Sequence, residues 1–186
     1  MELINRLKRN FFFRLFKIKH GKNLRVIGPL KLGWMSNIEI GDNVIINSGN
    51  NTPNPIGGEV ITSISTIYDG HIKIGNNVGM SNCTILSQCD IEIEDDVMIG
   101  GGVIIVDTDF HPIDYEARIN DDQSKTGIAP VKIKKGAFIG ARTIVLKGVT
   151  VGEKAIVGAG SVVTKDVPDC EVWAGNPARF VNENKK

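Results

Sequence analysis

The residue in this chain best suited to acid–base chemistry is His111, one of three histidines. It lies in the segment Val106-Asp-Thr-Asp-Phe-His-Pro-Ile-Asp114, where two carboxylates precede it and a proline stiffens the backbone after it. A carboxylate or a carbonyl on one imidazole nitrogen fixes the tautomer and leaves the other nitrogen free to act as a base. A solvated loop histidine is the plain alternative, so the elements that hold this segment decide between the two.

Metal chemistry has little support in the sequence. A zinc site of the carbonic-anhydrase type needs three histidine ligands with a close pair, and His20, His71 and His111 lie far apart along the chain. We therefore expect no metal, and we expect His71 to be structural. The cysteines show no C-x-x-C spacing, which favours reduced and mostly buried thiols: Cys83, Cys89 and Cys170.

Aliphatic residues recur every six positions near the C-terminus: Ile133, Ile139, Val145, Val151, Val157 and Val163. A small or β-branched residue follows each of them four positions later: Ala137, Thr143, Val149, Ala155, Ser161 and Val167. A period of six fits neither a helix nor a half-buried strand. It is typical of a parallel β-helix, in which each flat face takes one hexad and three faces make a coil.

The same pattern recurs upstream in four related phrases, each predicted to begin a new coil: 38–44, 72–78, 91–97 and 131–137. We therefore predict an all-β solenoid over about residues 24–168, preceded by a cap helix at 1–23 and followed by a tail at 169–186.

The hexads are interrupted between Ile105 and Ile133, so the surplus chain at 106–130 must leave the prism as a loop that carries His111. A second interruption follows Ile46, and its turn-rich stretch 47–58 fits either a binding loop or a poorly patterned coil.

Residues 1–25 are strongly basic, and Leu3, Leu7, Phe11 and Leu15 have the spacing of an amphipathic helix. A cap over the open end of the solenoid is the favoured interpretation; weak binding to anionic lipid is the other, and the two are compatible. Without a recognisable signal peptide or membrane span, we expect a cytoplasmic protein, peripheral at the inner membrane face at most. The net charge of +1 argues against a nucleic-acid partner.

Five motifs occur together with the repeats: Asp109-Phe-His-Pro112, Phe138-Ile-Gly-Ala141, Leu146–Gly152, Val157–Asp166 and Ala174–Arg179. Together they resemble the hexapeptide acyltransferases, in particular the maltose and galactoside O-acetyltransferases and the O-acetyltransferases of bacterial surface polysaccharides. The resemblance implies a left-handed coil and a homotrimer that binds acetyl-CoA in the grooves between neighbouring subunits.

The resemblance also implies a role for individual residues. His111 matches the catalytic histidine, Ala141 the backbone amide near the thioester, and Ala159 a backbone contact to the pantetheine arm. The remaining matches lie beside the cofactor or its phosphates: Phe138, Thr164, Lys165 and Arg179. Where galactoside-type enzymes carry a carboxylate for the sugar, this chain has Ser87 and Gln88, which with Asp109 are the candidate acceptor contacts.

The resulting hypothesis is transfer of acetyl from acetyl-CoA to a sugar hydroxyl, with His111 as general base and bacterial surface polysaccharide as the setting. Residues 1–25 resemble that polysaccharide-modifying branch. The alternatives are N-acetylation of an amino-sugar nucleotide and a non-catalytic hexapeptide scaffold.

Overall fold

The chain folds into a three-sided prism of short parallel strands. The computed structural model describes residues 13, 18–33, 37–50, 56 and 60–184. Face I consists of the strands Lys19–His20, Ile38–Ile40, His71–Ile74, Asp90–Ile93, Val131–Ile133 and Thr150–Val151. Face II consists of Arg25–Ile27, Ile45–Asn47, Gly79–Ser81, Met98–Ile99, Phe138–Ile139, Ile156–Val157, Glu171–Gly175 and Ala178–Glu183. Face III consists of Leu30–Gly33, Thr62–Thr66, Thr84–Ser87, Ile104–Val106, Ile144–Val145 and Val162–Val163.

The chain visits the faces in the order I, II, III and then stacks the next coil on the last. Ile133 therefore pairs with Val151, and Ile139 pairs with Val157, in parallel register. The openings of the four upstream phrases stack in the same way, with Ile72 between Ile38 and Ile91, and Ile91 against Val131. The period-six prediction is confirmed strand by strand.

The core is a column of stacked aliphatic side chains along the axis of the prism. All six aliphatics of the C-terminal hexads are 0% exposed, from Ile133 to Val163. The small residues that follow them are also buried, from Ala137 at 0% to Val167 at 1%. The corners leave no room for larger side chains, which explains the second rule of the repeat.

The cysteines are free thiols in differing surroundings. Cys83 belongs to the core, and burial raises the pKa of its thiol to about 12. Cys89 is half-buried and Cys170 is exposed, so the expectation of buried thiols is fulfilled completely at Cys83 alone.

Face I is charged on its outer side. Lys19 bonds to Glu39 at 2.6 Å, and Glu92 bonds to both Lys73 at 3.0 Å and Lys132 at 2.9 Å. The carboxylates, that of Glu92 first, raise the pKa of Lys132. These pairs are largely exposed, so each contributes little to stability, but together they keep face I hydrated.

The outer side of face III is aliphatic instead. Ile104 is 38% exposed and forms an aliphatic stripe with half-buried Ile144 and Val162, which pair in register one coil after another. Large apolar residues are also exposed on face II, among them Met98 at 61% and Phe138 at 41%.

At the C-terminal end, the segment expected to be a tail forms a hairpin. Glu171–Gly175 continues face II in parallel with Ile156–Val157, and Ala178–Glu183 pairs with it antiparallel.

At the other end Phe13 is 2% exposed, and its ring meets that of His20 edge-on at 5.4 Å. Within the predicted cap helix, 1–23, residues 1–12 and 14–17 lie outside the described residues, as does most of the 47–58 stretch. Lys19–His20 falls within those bounds and is a strand of face I that pairs with Ile38–Ile40. No helix within the described part of the chain is long and apolar enough to cross a membrane.

Candidate active site

The predicted loop leaves the prism at the III–I corner, directly after Ile104–Val106, and returns before Val131–Ile133. It contains the helix Tyr115–Ile119, capped by the Asp114 carboxylate, which accepts the Ala117 amide at 2.8 Å. A single 3₁₀ turn, Gln123–Lys125, follows. The loop is therefore an ordered substructure on the corner.

Asp107 anchors the start of the loop to the preceding coil. Its carboxylate is 0% exposed and accepts three hydrogen bonds, from the Ser87 hydroxyl at 2.6 Å and from the amides of Gln88 at 2.7 Å and Cys89 at 2.9 Å. Because every donor comes from the corner one coil earlier, this carboxylate is not available to orient His111.

The two segments that connect the loop to the prism, 107–109 and 127–129, form its neck and are hydrogen-bonded to each other. Asp109 donates its amide to Gly127 at 2.9 Å, and Ala129 donates to Asp107 at 3.0 Å, around an antiparallel bridge between Thr108 and Ile128. The neck therefore gives the loop a fixed exit direction.

The Thr108 hydroxyl links the neck to the residue before His111. It donates to Gln88 Oε1 at 2.7 Å and accepts the Phe110 amide at 3.0 Å.

Asp109 is held by the coil on the other side of the loop. Its Oδ1 lies 2.9 Å from Lys147 Nζ, whereas Oδ2 is buried without a partner among the described residues. A Cβ added at Gly127 would lie 2.5 Å from Oδ2 and 2.9 Å from Lys147 Cε. Glycine therefore lets the returning chain close over this ion pair without displacing either side chain.

His111 emerges from this neck with an exposed side chain. Its amide donates to the Asp109 carbonyl at 2.7 Å, and its ring has no hydrogen bond to any other described residue. The following Pro112 is buried, and Arg118 bonds to the carbonyls of Pro112 at 3.0 Å and Ile113 at 2.8 Å. The imidazole is thus free for a ligand while the backbone on both sides is fixed.

The predicted acceptor contacts have other partners. Ser87 is 0% exposed and donates its hydroxyl to Asp107, so it has no surface to offer a ligand. Gln88 is half-buried, with its carbonyl taken by Thr108. Both residues position the loop in this structure, as does Asp109 through Lys147.

The backbone of the II–III corner presents donors without partners. The amides of Ala141 and Ala159 donate no hydrogen bond to any described residue, and they lie one coil apart. A Cβ at Gly100 would lie 2.6 Å from the Ala141 nitrogen, and one at Gly140 would lie 2.5 Å from the Ala159 nitrogen. Glycine at these corners therefore leaves the two amides uncovered.

The remaining predicted cofactor residues are exposed and well separated. Phe138 stands on face II beside this corner, stacked in register between Met98 and Ile156. Thr164 and Lys165 lie on the III–I corner, below the loop. Arg179 lies in the C-terminal hairpin, where its Nη1 bonds to the Ala178 carbonyl at 2.8 Å.

The structure does not bring all of these residues together within one chain. His111 and Lys165 lie on the III–I corner, whereas Ala141 and Ala159 lie on the II–III corner, at the opposite edge of face III. At about 3.3 Å per residue, the stretch that crosses face III separates these edges by on the order of 15 Å.

The contact of Lys147 with the loop was not predicted from the sequence. The available signal was its place at the corner one coil after the loop, where a side chain can reach the neck. As for metals, the described residues include no group of three or more side chains that could hold an ion. His71 instead pairs through Nδ1 with Asp90 at 2.9 Å.

Known proteins match this chain in sequence and in fold. A family model for the hexapeptide repeat of succinyl-transferase matches residues 130–165. The galactoside O-acetyltransferase of Escherichia coli K12 is 36% identical over 117 residues, which make up 62% of this chain and 56% of that protein. The maltose O-acetyltransferase from Clostridium difficile 630 shares 29% identity with a TM-score of 0.64, over 96% of this chain and 76% of its own. A galactoside acetyltransferase solved in complex with coenzyme A shares 26% identity with a TM-score of 0.60, over 95% of this chain and 70% of its own.

As its motifs predicted, the chain contains the hexapeptide repeat and is similar in sequence and fold to hexapeptide-repeat acyltransferases, and its prism is a left-handed parallel β-helix like theirs. It spans about half the length of the curated relatives it matches. The matched repeat includes the coils that carry most of the predicted cofactor residues: Phe138, Ala141, Ala159, Thr164 and Lys165.

Proposed function

We propose that this protein is an acetyltransferase that moves the acetyl group of acetyl-CoA to a hydroxyl group of a sugar. The observation that carries the proposal is the free imidazole of His111, held on a neck whose side chains Asp107, Thr108 and Asp109 are bonded to the neighbouring coils. The likeness to galactoside and maltose O-acetyltransferases supports a sugar hydroxyl as acceptor. The coenzyme A complex of a similar structure supports acetyl-CoA as donor.

In the proposed reaction, His111 removes the proton from the acceptor hydroxyl as its oxygen attacks the thioester carbonyl. A positioned base of this kind raises the rate by roughly 10²–10⁴. The tetrahedral oxyanion is stabilised by the free amide of Ala141. When the carbon–sulfur bond breaks, the imidazolium returns its proton to the departing thiolate, giving the acetyl ester and coenzyme A.

The rest of the cofactor extends along the coils. The Ala159 amide, one coil beyond that of Ala141, bonds to the pantetheine arm, and the exposed ring of Phe138 packs beside it. Thr164, Lys165 and Arg179 bind the phosphates, because charge-assisted hydrogen bonds to phosphate oxygens are stronger than neutral ones.

We further propose that each site is shared between two copies in a homotrimer. Base and amides lie on opposite edges of face III, so a compact site forms when the II–III corner of one copy meets the III–I corner of the next. Such contacts have apolar surface available, namely the stripe on face III and the residues Met98 and Phe138 on face II. The charged pairs on the outer side of face I keep that face in water.

The same proposal includes the kind of acceptor and the place in the cell where it is modified. The acceptor is a surface-polysaccharide glycan or its precursor, modified in the cytoplasm, with the basic N-terminal segment near the membrane face. Acetylation of an amino sugar instead of a hydroxyl is the main competing outcome, and the acceptor panel below separates the two.

The test is release of coenzyme A thiol by the purified protein, with acetyl-CoA and a panel of methyl pyranosides that includes amino sugars. We expect turnover with hydroxyl acceptors, and a loss of at least about 100-fold in His111→Ala. The matched control is His20→Ala, since His20 is also exposed but lies on face I. Activity of His111→Ala within threefold of wild type would remove His111 as the base, and acetylation of amino groups alone would replace the O-acetyl assignment.

A further inference from the structure

The residue before the proposed base has an unusual backbone. The His111 amide donates to the Asp109 carbonyl two residues earlier at 2.7 Å, and Phe110 between them has φ 64°. A hydrogen bond across two residues with a positive φ at the centre is a classic γ-turn, which is rare and strained. For a bulky aromatic residue this conformation is an outlier.

Left-handed residues elsewhere in the described chain are mostly of types that tolerate this conformation. The prism corners use glycine, as at Gly148 and Gly160, or asparagine and aspartate, as at Asn43, Asn77 and Asp96. The two aromatic residues in the set are Phe110 and Tyr68. Glycine would adopt the Phe110 conformation with less strain, so the phenyl ring must have another use.

The neck prevents the turn from relaxing. The Thr108 hydroxyl accepts the Phe110 amide at 3.0 Å while donating to Gln88 on the neighbouring coil. The ring nevertheless remains 43% exposed, so it contributes less to the core than a buried aromatic residue would. Strain that is kept in place beside a reactive group points to function.

We propose that the Phe110 ring is a stacking platform for the pyranose ring of the acceptor. The C–H face of a pyranose carries small positive partial charges, which complement the negative face of an aromatic ring. Since Phe110 and His111 are consecutive on one fixed turn, a sugar stacked on the first presents a hydroxyl beside the second. This inference rests on the proposed function and adds how the sugar is recognised.

The test compares two acceptors that share hydroxyl chemistry but differ in shape: the best methyl pyranoside of the panel and glycerol, which has no ring. Methyl glycosides are used because an aromatic aglycone could itself stack. Phe110→Leu retains bulk and backbone strain but removes the aromatic face. We expect it to lower kcat/KM for the pyranoside about fivefold. The rate with glycerol and the KM for acetyl-CoA stay unchanged.

Three further variants separate stacking from structure. Phe110→Tyr keeps the ring and should keep the preference for the pyranoside. Phe110→Gly relieves the turn, so it should lose that preference while its thermal midpoint stays within about 2 °C of wild type. Tyr68→Leu removes the other exposed aromatic residue with a positive φ on the same corner. It should leave the rates with both acceptors unchanged.

Several results would overturn the platform. If Phe110→Leu lowered the rate equally with both acceptors, Phe110 would only position His111 and would not bind the sugar. A raised KM for acetyl-CoA would assign the ring to the pantetheine arm, and a changed sedimentation coefficient would assign it to a neighbouring copy. Turnover with glycerol but with no pyranoside would contradict the inference outright. Absence of thiol release by wild type with every acceptor would instead contradict the proposed function on which it rests.

Discussion

The two corners that border face III are built in opposite ways. The II–III corner, called the bare corner below, consists largely of glycine and small residues: Gly100 and Gly140 leave the amides of Ala141 and Ala159 uncovered. The III–I corner instead carries polar side chains. Nearly all of those that contact the loop are hydrogen-bonded or ion-paired within the protein. One corner offers backbone donors, and the other offers a single free imidazole.

This difference shows how a simple repeat obtains a reactive site. In a regular coil the inward positions must be aliphatic and the corners small, which leaves only the outward positions for a base. The chain therefore interrupts one corner to add a loop and leaves the other regular to expose its backbone. Since a flat strand separates the two corners, we propose that their chemistry is combined by a second copy rather than by folding.

The largest change is expected from removing one backbone donor at the bare corner. Ala141 is the second residue of a turn closed by the Thr143 amide on the Gly140 carbonyl at 3.3 Å, with φ 60° at Arg142. These are features of a type II turn, which accepts proline at its second position. Ala141→Pro should therefore fold but lower kcat about 10²–10³-fold, as loss of one oxyanion donor does.

The control for this change is Ala141→Gly, which keeps the amide and should retain activity. Thiol-release kinetics at saturating acetyl-CoA give the comparison. Equal activity of the proline and glycine variants would show that the amide of Ala141 has no part in the reaction.

A smaller but still large effect is expected at the neck. Asp107→Asn places an amide group opposite the buried donors of Ser87, Gln88 and Cys89, so at least one donor faces another donor. Leaving such a group unsatisfied costs about 1–3 kcal/mol, and should lower the thermal midpoint by about 5–10 °C. Asp69→Asn is the control, because Asp69 is an exposed aspartate on the same corner. A midpoint equal to that of the control would contradict the anchoring role of Asp107.

The smallest effect concerns the ion pair of Asp109 with Lys147. Both side chains are about one-quarter exposed, at 24% and 30%, so screening limits the strength of the pair. Asp109→Asn and Lys147→Met should each lower kcat about fivefold. The kcat of the double variant should be no lower than that of the less active single variant. The exposed Lys125→Met on the loop is the control. Fully additive losses would mean that the two residues act independently.

The fold could be predicted almost completely from the sequence, because the hexads specify both the buried column and the small corner residues. The site could be predicted only as a set of residues. Ser87 and Gln88 were expected at the acceptor, yet they bond to Asp107 and Thr108 on the next coil. Lys147 went unnoticed for a related reason. Contacts between coils depend on where each interruption falls, and the repeat alone does not specify that.

The central claim is that one site combines the base of one copy with the bare corner of another. The most direct test mixes His111→Ala subunits with Ala141→Pro subunits, unfolds them together and reassembles them in equal amounts. Each variant assembled alone should be nearly inactive. In mixed trimers about one interface in four joins an intact His111 to an intact Ala141 corner, so about a quarter of wild-type activity should return. A mixture no more active than its separate components, despite verified exchange of subunits, would contradict the shared site.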